Sequence, residues 1–185
     1  MFPKAHAAAY VMMAFRIAYF KVYYPIAYYA AYFSIRASAF NYELMCLGRE
    51  RLEYHMAEYK RRMASSDPAV KLTKKEEDVY KDMKVVQEMY ARGFEFVPID
   101  IYTAKAHHFQ IVDGKLMPSL STIDGLGDKA ADQVVEAVKD GKFLSRDDFK
   151  TRCKVSGTVV ELMADLGLMG DLPATNQISL MDFLG

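Results

Sequence analysis

The sequence has few of the residues that build disulfide frameworks and metal centres. Its 185 residues include two cysteines, Cys46 and Cys153, which lie far apart and predict no disulfide framework. This cysteine usage favours a reducing compartment, the cytoplasm. None of the four histidines stands at a spacing from either cysteine that is typical of zinc ligands. We therefore expect no metal site and no cofactor in this chain.

Charge of one sign is missing at each end of the sequence. Residues 1–36 contain no acidic residue, and from Val155 onward there is no lysine or arginine. The formal net charge of zero hides this uneven distribution. Between these two ends, residues 129–154 hold seven basic residues interleaved with acids, namely Lys129, Lys139, Lys142, Arg146, Lys150, Arg152 and Lys154. This pattern predicts a mixed, solvated surface with local basic patches.

A long uninterrupted apolar run is missing as well. Residues 5–33 are strongly apolar, but Arg16, Lys21 and Pro25 interrupt them. A membrane-spanning helix needs about 20 consecutive apolar residues, so we expect none here. No small-residue cleavage site follows a short apolar core, which argues against a signal peptide. With 52% apolar and 26% charged residues, the sequence is typical of a globular protein of one or two small domains.

The pattern of apolar residues predicts a mainly α fold with a small β hairpin. Helical spacing begins near Ala5, and Pro25 ends or kinks that helix before a second one that runs to about Ile35. These first helices hold much of the chain's tyrosine and phenylalanine. Such an apolar surface is hard to cover from within the chain, so a partner or further residues should pack on it.

Capping and turn signals predict the middle of the chain. Asn41 can cap a third helix that continues to about Met63, and Thr73 with Glu76 forms a capping box for a fourth helix that ends at Gly93. Alternating apolar residues over 94–101 suggest a strand, and residues 109–117 suggest a hairpin.

A glycine turn, Ile123-Asp124-Gly125-Leu126-Gly127-Asp128-Lys129, precedes a helix-like run over residues 130–138. Glycine tolerates positive φ, so two glycines flanking one apolar residue allow a tight turn. The next helix would begin with free N–H groups and its positive dipole end facing outward, where a phosphate can bind without any base being read. The pattern predicts a helix-hairpin-helix element, although an ordinary corner between two helices fits the turn alone. A second, degenerate unit follows, with helices over 146–152 and 158–166 joined by a turn at 154–157.

Strings at both ends of the chain resemble one family. Residues 2–10, Phe-Pro-Lys-Ala-His-Ala-Ala-Ala-Tyr, resemble the end of the fingers region in bacterial replicative, family C DNA polymerases. The proline in this string resembles the PolC type of Gram-positive bacteria. The similarity continues through residues 16–21, 28–30 and the glycine turn, and ends at 176–180, Asn-Gln-Ile-Ser-Leu, which resembles a sliding-clamp-binding peptide. The chain therefore resembles a C-terminal piece of a PolC-type polymerase III α subunit.

The resemblance implies a division of the chain. Residues 1–93 would be the helical C-terminal part of the fingers, 94–117 a short β-hairpin connector, 118–172 a tandem helix-hairpin-helix domain that binds duplex DNA, and 173–185 a flexible clamp-binding tail. The aspartates that hold two magnesium ions in the family lie upstream of the matching region. Magnesium is thus implied for an intact polymerase, and we expect this chain alone to have no polymerase activity.

The resemblance also assigns roles to individual residues. Lys4 and His6 would face the incoming nucleotide. The residues expected to bind the DNA backbone are Gly125, Leu126, Gly127, Lys129, Lys154, Ser156 and Gly157, with Leu126 anchoring the turn to the core. Those expected to bind the sliding clamp are Gln177, Ile178, Ser179, Leu180, Met181 and Phe183. Either Met181 or Phe183 could fill the aromatic position of that peptide, and the tail could instead fold back onto the body.

Two other functions remain open at the level of sequence. The chain could be a free-standing helix-hairpin-helix module that binds DNA without a polymerase, or a protein-interaction fragment whose aromatic helices bind a partner. The coding sequence upstream of Met1 separates the first from a polymerase fragment. DNA affinity separates the second, because a pure interaction protein should show none.

Overall fold

The computed structural model describes residues 3–176, and this part of the chain is mainly helical with one small β hairpin, as the sequence predicts. Its elements, in chain order, are α1 (Lys4–Tyr23), α2 (Pro25–Ile35), α3 (Tyr42–Met45), α4 (Arg49–Ala64), α5 (Lys74–Ala91), β1 (Gln110–Val112), β2 (Lys115–Met117), a 3-10 helix (Leu120–Thr122), α6 (Asp128–Val138), α7 (Arg146–Cys153) and α8 (Gly157–Asp165). Strands β1 and β2 pair antiparallel, with Val112 opposite Lys115. Asp113 and Gly114 both have positive φ, which is the conformation that a two-residue hairpin turn requires.

Helix α1 is largely uncovered by the described part of the chain. Pro25 is the first residue of α2, where its fixed φ and missing N–H suit a helix start. One helix therefore ends at Tyr23 and the next begins at Pro25. Apolar side chains lie all around α1, and none of its residues is buried by the described part of the chain. The expected uncovered apolar surface is therefore present. No helix among residues 3–176 is both long enough and apolar enough to span a bilayer.

The predicted third helix is two helices. The side chain of Asn41 does cap a helix, accepting a hydrogen bond from the N–H of Leu44 at 3.0 Å, but that helix ends at Met45. Gly48 then has a φ of +102°, outside the range of a right-handed helix, and α4 starts at the next residue. A single continuous helix over this region was therefore a wrong prediction, because the break is made by backbone conformation at one glycine.

Residues 94–101 do not form a strand either. Phe96 makes one isolated bridge to Leu116, and the chain then turns at Asp100. The carboxylate of Asp100 accepts hydrogen bonds from the N–H of Tyr102 at 2.9 Å and from the hydroxyl of Thr103 at 2.9 Å. Such a side-chain-to-backbone turn ends an extended segment. The apolar alternation of this stretch instead buries Ile99 and Ile101 in the core.

The capping box of α5 is confirmed and also joins two helices. The hydroxyl of Thr73 accepts from the N–H of Glu76, and the Glu76 carboxylate accepts from the N–H of Thr73 at 2.7 Å. The other oxygen of that carboxylate lies 2.7 Å from the guanidinium of Arg62 on α4. Arg62 and the Thr73 N–H together lower the pKa of Glu76 to about 2. The pair joins the end of α4 to the start of α5, beside the loop that connects them.

The apolar side chains form two cores. The first core brings together α2–α5 and includes Tyr29, Phe33, Leu52, Met83 and Val86. The second core lies under α6–α8 and includes Leu120, Leu126, Val134, Phe149 and Met163. The β hairpin contributes to both, since Leu116 belongs to the first and Met117 to the second. The hairpin therefore links the helical part to the region that carries the glycine turn.

A buried carboxylate in the first core predicts a pH-dependent stability. Asp82 on α5 is 5% exposed and accepts a hydrogen bond from the N–H of Ala39 at 3.2 Å. Burial raises its pKa from 3.8 to about 6; nearby Asp78 adds to the shift, while the Ala39 N–H and Lys81 oppose it. The folded state thus holds this proton more tightly than the unfolded state. The contribution of Asp82 to the free energy of unfolding is therefore fully present below about pH 4 and is lost as pH rises through about 6.

Asp82→Asn is therefore expected to raise the free energy of unfolding at about pH 7 by roughly 1 to 3 kcal/mol, because Asn keeps the acceptor and removes the buried charge. The gain should vanish near pH 4. Urea unfolding at both pH values measures it. Glu50→Gln serves as the control, since that carboxylate is exposed on α4 and is not among the groups that shift the pKa of Asp82. An equal gain for Asp82→Asn at both pH values would contradict the buried-charge explanation.

Candidate nucleic-acid interface

The glycine turn joins the 3-10 helix Leu120–Thr122 to α6. Gly125 has a φ of +76°, a left-handed conformation that other residues adopt at a cost. Leu126 is 2% exposed, and its N–H donates to the carbonyl of Ile123 at 3.1 Å, so it anchors the turn to the second core as expected. Gly127 has a φ of −65° and precedes α6 as its N-cap. The prediction that both glycines use positive φ is therefore wrong for Gly127.

The N-terminus of α6 is open to an anion. No side chain caps this helix, and Gly127, Asp128 and Lys129 are exposed. A Cβ built on Gly127 would meet no atom within 4 Å, so the backbone here can be approached closely. The first N–H groups of a helix lack intrahelical acceptors and lie at the positive end of its dipole. This end of α6 can therefore hold a phosphate, with the charge of Lys129 beside it.

The second hairpin also has a tight turn that leads into a helix, but this turn has no paired glycines. Lys154, after α7, takes the left-handed conformation itself, with a φ of 53° and a ψ of 40°. Val155 is buried, and the hydroxyl of Ser156 accepts from the N–H of Val159 at 3.3 Å. Helix α8 begins at Gly157, one residue earlier than the sequence predicts. Lys154 and Ser156 are exposed on this turn, and Gly157 is half-buried.

One contact places the two hairpins side by side. A Cβ built on Gly125 would lie 3.0 Å from a methyl carbon of Val159, in the first turn of α8. The first glycine turn therefore packs directly on the start of α8. This contact brings the uncapped start of α6 and the Ser156-capped start of α8 close together. Sequence reasoning missed Val159, since nothing in the local pattern marks it as the partner of a turn more than thirty residues earlier.

The N-terminus of α7 is already occupied. The hydroxyl of Ser145 accepts from the N–H of Asp148 at 3.1 Å. The carbonyls of Pro173 and Ala174 accept from the N–H groups of Arg146 at 2.8 Å and Asp147 at 3.1 Å. We call this contact the tail clasp. By contrast, α6 has no side-chain cap, and α8 has that of Ser156 without a further segment of the described chain on its start. The clasp also holds the first two residues of the predicted tail to the fold.

Most of the basic residues predicted at the surface are exposed there, but Arg152 is not part of that surface. Its guanidinium donates to the carbonyls of Ala137, Gly141 and Lys142, the latter two at 3.2 and 3.3 Å. It also lies over the ring of Phe143, 4.6 Å from the ring centre. Arg152 therefore closes the C-terminal end of α6, and its role is structural.

The remaining predicted site residues lie elsewhere. Lys4 is the first residue of α1, and His6 follows within its first turn, where its ring packs on that of Tyr10 at 4.5 Å between centres. Both are exposed at a helix N-terminus, on a different helix from the two hairpins. The six predicted clamp-binding residues, from Gln177 to Phe183, lie outside the described residues.

The described residues offer no arrangement for a metal ion. Across 3–176, no three His, Cys, Asp or Glu side chains lie together so that they could ligate one. The magnesium that the family resemblance implies therefore has no fitting ligand set in this part of the chain, and we derive no step through it. Burial raises the pKa of the Cys153 thiol to about 12, which makes it a poor nucleophile.

Comparisons with known proteins agree with this geometry. A family model described as a helix-hairpin-helix motif matches residues 93–178, which contain both hairpins. The chain therefore contains a helix-hairpin-helix region.

Full-length similarity then defines the family. The chain is 46% identical over 182 residues to the PolC-type DNA polymerase III of Streptococcus sanguinis (strain SK36), covering 98% of the chain and 12% of that protein. It is 46% identical over 184 residues to the enzyme of the same name from Streptococcus suis (strain 98HAH33), covering 100% of the chain and 12% of that protein. The chain belongs to the PolC-type DNA polymerase III family and spans about 12% of the length of these curated relatives.

Proposed function

We propose that this chain acts in DNA replication, in the cytoplasm, as the part of a PolC-type polymerase that holds the backbone of duplex DNA. The observation that supports the proposal is the packing of Gly125 on Val159, which brings the starts of α6 and α8 close together. Two neighbouring groups of backbone N–H donors suit two phosphates of a duplex. Such contacts position a protein on DNA without reading its sequence.

Basic side chains beside these helix starts support the same function. Lys129 stands in the first turn of α6, and Lys154 stands in the turn before α8, both exposed. Their charges add to the dipole ends of the two helices. Asp128 and Asp124 lie close by in sequence and oppose them, so the grip of the isolated chain is expected to be weak. A weak, sequence-independent grip is useful only when a second attachment holds the protein on DNA.

Binding to duplex DNA should fall steeply with salt, because phosphate contacts release counterions. Lys129→Ala is expected to weaken binding for every sequence and to reduce the slope of log K against log salt by roughly one. Fluorescence anisotropy with two unrelated duplexes measures both. Lys139→Ala is the matched control, since it removes the same charge just beyond the other end of α6, where Lys139 pairs with Glu136. Equal losses for the two variants would refute the assignment of the α6 start.

We further propose that the tail tethers the chain to a bacterial sliding clamp. The support is the residue pattern from Gln177 to Phe183, together with the tail clasp, which fixes where the tail leaves the fold. The clasp lies at the start of α7, whereas Lys154 and Ser156 follow its other end. The described part of the tail, residues 173–176, therefore starts at the opposite end of α7 from these two residues. Attachment at two places makes each rebinding intramolecular, which turns two weak grips into a durable one.

Removal of residues 177–185 is expected to abolish clamp binding and to leave DNA binding unchanged. One short peptide buries little area, so the affinity of the intact chain for the clamp should be on the order of micromolar, or roughly 8 kcal/mol. Calorimetry with purified clamp measures this value, and the variant truncated after Asn176 keeps the tail clasp intact. Full clamp affinity in that variant would show that the tail is only a structural cap.

The N-terminal helices are proposed to pack on the rest of such a polymerase. A groove of about 700 Å³ between α1 and α2 is lined by apolar side chains such as Ile17, Phe20 and Ile35. A helix that is apolar all round is normally surrounded by protein. Lys4 and His6, at the start of α1, are proposed to face the incoming nucleotide. The catalytic carboxylates and their magnesium are proposed to come from that remaining part, so this chain alone should not extend a primer.

The same exposed surface favours a second candidate function, a fragment that binds a protein partner through α1 and α2. DNA affinity separates the two candidates. A chain that binds a polymerase segment supplied in trans but shows no salt-dependent affinity for DNA would support the interaction fragment.

A further inference from the structure

A short loop between the two cores contacts both arms of the first hairpin. The carbonyl of Lys105 accepts from the N–H of Leu120 at 3.0 Å, and that of Ala106 accepts from the N–H of Ser121 at 3.0 Å. These bonds fix the loop to the 3-10 helix that precedes the glycine turn. The next residue, His107, reaches across to α6, which follows the turn. Residues 105–107 therefore brace the turn from outside.

The imidazole of His107 lies between two carboxylates of α6. Its Nε2 is 2.9 Å from an oxygen of Asp132, and its Nδ1 is 3.6 Å from an oxygen of Asp128. The side chains of Asp128 and Asp132 are 84% and 63% exposed, so both charges act on the proposed DNA surface. Asp128, in the first turn, stabilises the helix, but the charges of Asp128 and Asp132 also repel the phosphate that the same helix start would bind. A protonated imidazole has a donor for each carboxylate, whereas a neutral one has a single donor.

We propose that His107 is a positioning residue of the DNA-binding surface, whose protonated ring bridges Asp128 and Asp132 and offsets their repulsion of the DNA backbone. The inference rests on the proposed DNA binding and adds a residue outside both hairpins. The titratable groups placed against the ring are Asp128 and Asp132, while Lys105 and His108 flank it on its own loop. A pH profile of DNA binding is therefore the readout that separates a charged ring from one that only braces the loop, because histidine is the side chain that can change charge near neutral pH.

His107→Gln is the variant that tests the proposal, because Gln can still donate to Asp132 but never carries a charge. Duplex-DNA affinity of the unaltered chain is expected to fall by roughly 2- to 5-fold more than that of the variant as pH rises from about 6 to 8. The two proteins should bind equally at about pH 8. His108→Gln, at the exposed neighbouring histidine, should keep the pH dependence of the unaltered chain.

The possible outcomes are distinct. Parallel pH profiles for the unaltered chain and His107→Gln would overturn the proposal. If the variant also bound more weakly by the same factor at both pH values, the ring would be a brace without an electrostatic role. If affinity responds to Lys129→Ala while the pH profiles stay parallel, the role of His107 fails and the proposed function stands. If the unaltered chain binds no DNA at either pH, both fail together.

Discussion

Gly125→Ala is expected to destabilise the second core by about 2 to 3 kcal/mol, whereas Gly127→Ala should cost less than about 1 kcal/mol. The two glycines flank the same leucine, but their backbones differ. Gly125 has a φ of +76°, and an added Cβ would lie 3.0 Å from the Val159 side chain. Gly127 has an ordinary φ of −65° and open space around it. Strain and a close contact therefore act together at the first position and are absent at the second.

Thermal and urea unfolding of the two variants measure this difference. Gly125→Ala should also weaken DNA binding, because it separates the turn from α8 and so disturbs the close placement of the two helix starts. Gly127→Ala should preserve the fold and report only on the added methyl group beside the α6 amides. Equal stability of the two variants would mean that the Gly125–Val159 contact does not hold the hairpins together.

Arg152→Ala is expected to lower the free energy of unfolding by about 2 to 4 kcal/mol. Its guanidinium donates hydrogen bonds to the carbonyls of Ala137, Gly141 and Lys142 and covers the ring of Phe143. Truncation leaves the last carbonyls of α6 and the following loop without their donor. The bond to the Ala137 carbonyl is partly buried, so water replaces it incompletely.

Lys150→Ala is the matched control for this change, because it removes the same charge from an exposed position of the same helix. It should alter the free energy of unfolding by less than about 0.5 kcal/mol. Arg152→Lys should restore only part of the stability, since an ammonium group lacks the planar fork that reaches several carbonyls. A loss for Arg152→Ala no larger than for Lys150→Ala would show that the residue belongs to the solvated surface after all.

The sequence by itself determined the features that depend on neighbouring residues. Pro25 breaks the N-terminal helices because its ring restricts the local backbone, and Thr73 with Glu76 starts α5 because the two residues satisfy each other's backbone groups. Asp113-Gly114 makes the β hairpin for the same local reason. The glycine turn, its buried Leu126 and the open start of α6 could also be predicted, as could the family, from strings of adjacent residues.

Only the tertiary structure decided which of these pieces meet. It paired Gly125 with Val159, turned Arg152 from an apparent surface charge into the cap of α6, and brought His107 against Asp128 and Asp132. The alternating apolar residues around Ile99 are buried in the core although they form no strand. These outcomes depend on packing between segments distant in sequence. Local periodicity fixes which face of an element is apolar but carries no information on the partner that covers it.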